Sequence, residues 1–284
     1  MEIINRRQRM FSIARKLRRE NKTIGFVPTM GALHEGHLAL ISEARQMSDA
    51  VIVSIFVNPT QFNDKGDLER YPRDLASDAA MLAEQGVDYI FAPEASEIYP
   101  ENFSTYVYVE GISETLEGAS RPGHFRGVAT VVTILLNTVR PDFAVFGEKD
   151  AQQLAVIKRL NRDLGFESEI VSVPTVREES GLAMSSRNER LSPEERSKAS
   201  IIFQGLRDAK LAFREGERSA LKLREIVQMK INSEPLADID YVAVVDADTL
   251  ETIEKIGDNE ALIAVAVRFG AVRLIDNVIL NRRQ

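Results

Sequence analysis

The sequence predicts an α/β protein, with a parallel-sheet domain over residues 1–175 and a smaller α+β domain over residues 176–284. In the first part, short apolar runs alternate with segments that carry the apolar period of helices. Strands that alternate with helices in this way are typical of right-handed βαβ units, which build parallel sheets. After Val173-Pro174 the pattern changes to a polar loop, two helical segments and three strand-like stretches, which predicts the second domain.

A basic amphipathic helix is predicted near the start of the chain. The stretch from Arg6 to Lys22 is rich in arginine and lysine, and it contains an apolar stripe with the spacing of one helical face: Met10, Ile13, Ala14 and Leu17. This pattern is typical of a packed helix with a solvated basic face, although a nucleic-acid-binding arm would look similar. The formal net charge of −7 argues against a general nucleic-acid surface, so we expect no nucleic-acid partner.

Five apolar runs are the predicted strands of the parallel sheet: Thr23–Pro28, Val51–Val57, Val87–Phe91, Asp142–Phe146 and Ile170–Val173. Helical stripes lie between them at positions 40, 44 and 47, at 75, 79 and 82, and at 128, 131, 132 and 135. Ligands of such sheets bind at the carboxyl ends of the strands, in the loops that lead into the helices. A functional site is therefore expected in these loops.

The predicted second domain has a clear helix start at Ser192-Pro193-Glu194-Glu195. This segment combines a capping serine, a first-turn proline and a capping-box glutamate. One helix should carry Ala199, Ile202, Phe203 and Leu206 on its apolar face, and a second should cover Leu221–Ile231. Three predicted strands follow, with Gly270 in the hairpin turn between the last two: Ile239–Val245, Leu262–Val267 and Val272–Leu280.

Composition excludes several classes of chemistry. The chain has no cysteine, which removes disulfides, thiolate metal sites and thiol nucleophiles. Its longest uninterrupted apolar run, Ala261–Val267, is far shorter than the roughly 18 residues that a membrane helix needs. The first residues are charged and form no apolar signal core, so a cytoplasmic protein is expected.

The loop after the first main strand holds two of the chain's 3 histidines, in Met30-Gly31-Ala32-Leu33-His34-Glu35-Gly36-His37. Unpaired N–H groups and the dipole at the start of the next helix favour an anion there, and the glycines allow a ligand to approach closely. The two imidazoles would project to one side and could donate to nucleotide phosphates, unless they are satisfied locally. The spacing differs from the His-Glu-x-x-His zinc helix and from the glycine-rich dinucleotide and P-loop motifs.

Two more loops follow predicted strands. Gln61 carries an amide that suits a substrate with hydroxyls and a carboxylate, although Asn58-Pro59 could be turn chemistry alone. In Gly147-Glu148-Lys149-Asp150, the lysine could neutralise phosphate and Asp150 could hold ribose or Mg²⁺, while Gln153 could face inward one turn later. The alternative is an acidic helix start that complements the dipole.

Two polar segments are open to more than one interpretation. Met184-Ser185-Ser186-Arg187 offers two hydroxyls and a guanidinium for phosphate in a loop that could close over the site, or it is an ordinary linker. The segment from Arg121 to Gly127 contains the third histidine, His124. It could reach a phosphate or form a structural turn.

Taken together, these segments resemble the pantothenate synthetase family of ligases, within the wider group of nucleotidyltransferase-like proteins that carry a His-x-Gly-His motif. The matched segments, in the family's order and separations, are Met30–His37, Gln61, Gly147–Asp150 with Gln153, and Met184–Arg187. The resemblance implies a Rossmann-like first domain, a C-terminal lid domain and a homodimer. It also implies ATP, Mg²⁺, pantoate and β-alanine as ligands, with a pantoyl adenylate as intermediate and AMP, pyrophosphate and pantothenate as products.

The resemblance further implies a role for each matched residue. His37, His34, Lys149 and Arg187 would be catalytic, with His37 as proton donor. ATP would contact Met30–His37, Gly147–Asp150, Val176 and Met184–Arg187. Gln61 and Gln153 would bind pantoate, and Gln61 would also lie near β-alanine. No residue is assigned as a metal ligand.

Two other functions could use the same histidine loop. A nucleotidyltransferase would leave AMP on its product, and a regulatory or scaffold protein would bind ATP without turnover. Fold alone does not separate these functions from a ligase. Gln61 and Gln153 favour the ligase, because neither alternative requires a pocket for a hydroxy acid.

Overall fold

The computed structural model describes residues 1–63 and 65–281. Its internal contacts divide the chain into two compact units. The first unit comprises Met1–Glu148 and Val156–Pro174, and the second comprises Lys149–Ala155 and the residues from Thr175 onward. Within the described residues, no helix combines the length and the apolar character that crossing a membrane requires.

The first unit contains a sheet of six parallel strands: β1 (Glu2–Ile4), β2 (Ile24–Thr29), β3 (Ala50–Ile55), β4 (Tyr89–Phe91), β5 (Phe143–Gly147) and β6 (Glu169–Val173). Their order is β1-β4-β3-β2-β5-β6, and all neighbouring pairs are parallel. The order reverses between β2 and β5, which creates a topological switch point. The loops that leave β2 and β5 are therefore in the place where ligands of open α/β sheets bind.

In the described part of the chain, seven helices lie wholly within the first unit: α1 (Arg7–Arg19), α2 (Glu35–Met47), α3 (Lys65–Glu69), α4 (Leu75–Glu84), α5 (Ala95–Ile98), α6 (Glu117–Ser120) and α7 (His124–Val139). An eighth helix, α8 (Ala151–Asp163), begins in the second unit and belongs to the first from Val156 onward. The predicted stripe of α1 is buried, as its spacing indicates. One core cluster joins α2 to the sheet through side chains such as Ile41, Val53 and Ile90. This packing holds the start of α2 at the carboxyl end of β2.

The second unit has three helices and a three-stranded sheet within its described residues: α9 (Pro193–Ala199), α10 (Ile201–Arg214), α11 (Ala220–Asn232), β7 (Ala237–Asp246), β8 (Ala261–Phe269) and β9 (Val272–Leu280). The strands are antiparallel in the order β7-β8-β9. Gly270 occupies the β8–β9 turn with φ +54°. The core lies between the sheet and the helices, where residues such as Leu206, Val227 and Ile263 are buried.

The predicted fold class is confirmed, and the five predicted strands of the first sheet all form with small shifts at their ends. The sequence did not predict β1, because the strand has only 3 residues and buries Ile4 alone. The capping box at Ser192 and Glu195 is present, with N···O distances of 2.8 and 3.2 Å. The single helix expected after it is divided at Ser200, whose hydroxyl donates to the carbonyl of Ser197 at 3.0 Å.

Candidate active site

The histidine loop connects β2 to α2 through two residues in the left-handed region. Gly31 has φ +79° and Ala32 has φ +52°. A Cβ on Gly31 would lie 2.8 Å from Oδ2 of Asp78, so both the backbone angle and the available space require glycine there. The conformation of Ala32 has an energetic cost, of order 1–3 kcal/mol for a non-glycine residue. The loop therefore needs contacts that stabilise it.

Asp78 provides those contacts from α4. Its side chain is buried, and its two carboxylate oxygens accept hydrogen bonds from the backbone N–H of Ala32 at 3.1 Å and of Leu33 at 2.9 Å. Thr29 adds a third contact, because its hydroxyl accepts from the N–H of Gly31 at 3.2 Å. The backbone leading to His34 is thus fixed by a carboxylate and a hydroxyl.

Asp78 was not predicted as a site residue, although the sequence carries a signal for it. The residue lies three positions after Leu75 and four before Leu82, on the apolar face of the predicted helix. A carboxylate on a buried face needs hydrogen-bond donors, since an unpaired buried charge is very costly. Here the donors are N–H groups of the histidine loop.

His34 and His37 form a reciprocal cap at the start of α2. Nδ1 of His34 accepts from the N–H of Gly36 at 3.1 Å, and Nδ1 of His37 accepts from the N–H of His34 at 3.3 Å. The ring centroids are 4.1 Å apart. Because each Nδ1 is an acceptor, the proton of each neutral imidazole is on Nε2. The local bonds therefore set the tautomer that presents Nε2–H as a donor.

Gln61 contacts the same loop. It ends the 3₁₀ turn Pro59–Gln61 after β3, and its side-chain nitrogen lies 2.8 Å from the sulfur of Met30. Its side-chain oxygen accepts from Nδ2 of Asn58 at 3.0 Å. The structure thus brings two predicted site segments of the first unit together.

Asn58 has a larger part than the turn chemistry that its sequence context indicated. It caps the 3₁₀ turn by accepting from the N–H of Thr60 at 3.3 Å, and it also orients the Gln61 amide. Its side-chain oxygen accepts a further bond, at 2.7 Å, from the hydroxyl of Tyr99. Burial raises the pKa of Tyr99, so this hydroxyl stays protonated and continues to donate.

Gly147 and Glu148 lie at the end of the strand next to β2. Gly147 is the last residue of β5, and Glu148 begins the 3₁₀ turn Glu148–Asp150. Gln153 follows on α8 and is half-buried.

In the second unit, Lys149 lies beside two residues of the predicted closing loop. A small cavity is lined by Lys149, Ser185 and Arg187, together with Arg273 from β9. Nζ of Lys149 is 3.6 Å from Oδ1 of Asp150, and the Lys149 carbonyl accepts from Nδ2 of Asn277 at 2.8 Å. Three cationic side chains and one carboxylate, that of Asp276, line this cavity. The carboxylate is paired with Arg177 at 2.6 Å, and Arg273 is paired with Asp240 at 2.8 Å. The lining keeps a net positive charge, which favours an anion. The sequence did not single out Arg273, which lies within a predicted strand.

The segment before this cavity folds back on itself. The N–H of Met184 donates to the carbonyl of Val176 at 2.9 Å, which brings together two residues predicted to bind ATP. Asn188 is buried behind the turn, and its amide donates to Ala183 at 3.0 Å and to Oε1 of Glu178 at 2.8 Å. The segment is therefore held by specific hydrogen bonds.

Glu178 is also bound by Arg196, at 2.9 and 3.2 Å. Burial alone would raise the pKa of Glu178, but the hydrogen bonds from Arg196 and Asn188 outweigh it and hold the pKa below the ordinary glutamate value. The carboxylate is therefore charged at neutral pH and anchors the loop that carries Ser185 and Arg187.

Known proteins resemble this chain over nearly its whole length. Residues 2–279 match the family model described as pantoate-beta-alanine ligase. A pantothenate synthetase of Acetivibrio thermocellus is 52% identical over 281 residues, which are 99% of this chain and 100% of that protein.

Solved structures agree with this match. The pantothenate synthetase of Thermus thermophilus has a TM-score of 0.90 and 45% identity, and the alignment covers 98% of this chain and 99% of that one. The pantoate-beta-alanine ligase of Francisella tularensis, described as complexed with beta-gamma ATP and beta-alanine, has a TM-score of 0.81 and 38% identity over 98% of this chain and 97% of that one. The family resemblance predicted from the motifs is confirmed, and the chain belongs to the pantoate–β-alanine ligase family.

Proposed function

We propose that this chain joins pantoate to β-alanine in an ATP-dependent ligation that proceeds through a pantoyl adenylate and releases AMP and pyrophosphate. The observation that carries the proposal is the paired histidine cap at the switch point, with Gln61 against Met30 of the same loop. Two imidazoles that could donate to phosphate and an amide that could bind a hydroxy acid thus belong to one cluster of loops, which supports the proposal. The relative from Francisella tularensis, complexed with beta-gamma ATP and beta-alanine, supports the same substrates.

In the first step, an oxygen of the pantoate carboxylate attacks the α-phosphorus of ATP in line, and pyrophosphate leaves. Charge builds on the phosphate oxygens during this attack. His34 and His37 would donate from Nε2 to those oxygens, with His37 as the proton donor that acts in the reaction. Each ring is held by a backbone N–H that donates to its Nδ1, so both imidazoles are oriented before the substrates react. Little reorganisation is therefore needed in the transition state.

Two glutamines are proposed to bind pantoate, and one of them is also proposed to lie near β-alanine. Gln61 and Gln153 would bind the hydroxyls and carboxylate of pantoate, because an amide both donates and accepts hydrogen bonds. Gln61 would also lie near β-alanine, whose amine attacks the acyl carbon of the adenylate and displaces AMP.

The remaining ATP contacts are assigned to backbone and cationic groups. Gly147, Glu148, Lys149, Asp150, Val176 and Met184–Arg187 complete the proposed set, together with Met30–His37. Lys149 and Arg187 would neutralise phosphate charge, and Ser185 and Ser186 would donate to it. The domain over residues 176–284 would act as a lid that keeps water from the reactive adenylate.

Mg²⁺ is proposed as the partner of ATP. Among described residues 1–63 and 65–281, no group of three or more histidine or acidic side chains forms a metal cage. Mg²⁺ commonly binds through one or two carboxylates, several waters and substrate phosphates, so a cage is not required. The carboxylate of Asp150, 3.6 Å from the Lys149 ammonium, fits this donor type. Bound there, the metal would neutralise the charge of the triphosphate.

We further propose that the protein is a cytoplasmic homodimer, that it belongs to the wider His-x-Gly-His group, and that it has no nucleic-acid partner. The last point is supported by the charge pairing of α1, where Lys16 lies 3.9 Å from Glu20 and Arg18 lies 3.4 Å from Glu167. Paired arginine and lysine side chains are typical of a solvated helix face.

The products separate the ligase from a nucleotidyltransferase. With pantoate, β-alanine, ATP and Mg²⁺ present, the ligase should form pantothenate, AMP and pyrophosphate in equal amounts, and omission of β-alanine should stop turnover after about one equivalent. Chromatography of the quenched reaction measures all three products. Continued consumption of ATP without β-alanine, with AMP retained on the product, would instead support the transferase.

A further inference from the structure

The segment from Arg121 to Gly127 lies outside the proposed set of substrate-binding residues, yet it contacts the main chain of Gln61. It forms the turn before α7 and the first turn of that helix. Nδ2 of Asn63 donates to the carbonyl of Pro122 at 2.7 Å, so the chain after Gln61 is also tied to this segment. All of these residues belong to the first unit.

His124 is buried and contacts the main chain of Gln61. Its Nδ1 lies 2.8 Å from the Gln61 carbonyl oxygen, and its Nε2 lies 3.3 Å from Nη1 of Arg121. A carbonyl oxygen only accepts and a guanidinium only donates. His124 must therefore be the neutral tautomer that donates from Nδ1 and accepts at Nε2, opposite to the tautomer of His34 and His37.

Arg121 contacts both members of this pair. Besides Nε2 of His124, it reaches the Gln61 carbonyl through Nη2 at 3.3 Å. A single guanidinium thus sets the tautomer of His124 and adds a second donor to the same carbonyl. Charge-assisted bonds of this kind are stronger than neutral ones, and two of them restrict orientation as well as distance.

Gly127 completes the contact by its lack of a side chain. A Cβ there would lie 2.5 Å from the carbonyl oxygen of Thr60 and 2.8 Å from the nitrogen of Gln61. The Gly127 carbonyl accepts at 3.1 Å from the same Asn58 amide that bonds the Gln61 side chain. The start of α7 therefore packs against the backbone nitrogen of Gln61 and bonds its carbonyl oxygen. It also bonds Asn58, whose amide holds the Gln61 side chain.

We propose that Arg121 and His124 are positioning residues that fix the turn of Gln61 so that its amide is oriented for pantoate. They act through the Gln61 carbonyl and not on the nucleotide phosphates, which decides between the two interpretations that the sequence left open. The inference rests on the proposed function, because it concerns the pantoate site of that reaction. A defect in these residues should affect pantoate far more than ATP.

The test compares three substitutions at His124 in pantoate-dependent exchange of pyrophosphate into ATP. An asparagine amide can lie where Nδ1 lies and still donate to the Gln61 carbonyl, whereas a glutamine amide lies nearer to Nε2. His124→Ala and His124→Gln should raise the KM for pantoate about tenfold, the scale of a lost buried hydrogen bond. His124→Asn should stay within about threefold of the parent, and the KM for ATP should change less than about twofold in all three.

Arg126→Gln is the matched control, because Arg126 is exposed, stacks 3.7 Å above the Tyr106 ring and belongs to the same helical turn. It should leave both KM values unchanged. If His124→Ala does not fold, the comparison of His124→Asn with His124→Gln still tests the inference. The two variants differ in whether the amide lies near the Nδ1 or near the Nε2 position of the histidine. Arg121→Lys, which keeps the charge, should raise only the pantoate KM, by about threefold.

Equal changes for pantoate and ATP, or no preference for Asn over Gln, would overturn the inference. Failure of the proposed function itself has a different signature, because the unmodified protein would then show no exchange that depends on pantoate.

Discussion

Replacement of His37 by alanine is expected to lower kcat about 100-fold or more, the scale seen when a transition-state donor is removed. The physical reason is the loss of the Nε2–H donor at the start of α2, where the chain also loses the acceptor for the N–H of His34. Turnover under saturating substrates measures the effect. A loss of less than about threefold would contradict the role assigned to His37.

Two further substitutions separate these functions of His37. Asparagine can keep an acceptor near the Nδ1 position and so retain the cap, but it has no donor at Nε2. Glutamine can supply an N–H near Nε2 while it gives up the cap. If donation to phosphate is what matters, His37→Gln should retain more activity than His37→Asn, and His37→Asn should retain more of the thermal stability. The reverse order of activities would mean that His37 acts mainly as a cap.

Replacement of Asp78 by alanine is expected to have the second largest effect. The N–H groups of Ala32 and Leu33 would lose their acceptors within a loop that already holds Ala32 in the left-handed region. Each donor left without a partner costs about 1–3 kcal/mol when it is buried, so the free energy of unfolding should fall by roughly 2–6 kcal/mol, toward the lower end because the N–H of Ala32 is only part-buried. Activity should also fall at least tenfold, because the same backbone carries His34.

Asp74→Ala is the matched control for this prediction. Asp74 is the N-cap of the same helix and accepts from the N–H of Ser77 at 2.9 Å, but no bond joins it to the histidine loop within the described residues. Its removal should cost about 1 kcal/mol and leave the activity of the folded protein intact. Denaturant unfolding and initial rates, measured well below the melting temperature, give both quantities. Equal residual activity in the Asp74 and Asp78 variants would show that Asp78 supports only the fold.

Sequence patterns predicted the parts of this structure that depend on interactions between residues close together in the chain. The apolar runs of β2 and β3 and the capping box at Ser192 need only neighbouring residues to be recognised. The position of the histidine loop followed from the rule that ligands meet the carboxyl ends of parallel strands.

Residues that act across the chain were not predicted. Asp78 reaches Leu33 over 45 positions, and His124 reaches Gln61 over 63. Arg273 joins the cavity beside Lys149 only through the position of β9 in the second unit. Sequence periodicity does not indicate such pairings, because the partners are brought together only by the strand order and the packing of helices on the sheet. The one indication in the sequence was Asp78, an acidic residue on the apolar face of a predicted helix, which must find hydrogen-bond donors elsewhere in the fold.

The most direct test of the proposed adenylate chemistry is exchange of labelled pyrophosphate into ATP, with Mg²⁺ present and β-alanine absent. Reversible attack of the pantoate carboxylate on the α-phosphorus predicts rapid exchange that requires pantoate and is strongly reduced in His37→Ala. Absence of exchange with pantoate, in protein that still forms pantothenate when β-alanine is added, would contradict a freely reversible adenylate step that precedes β-alanine. Exchange that proceeds without pantoate would contradict the assignment of pantoate as the activated acid.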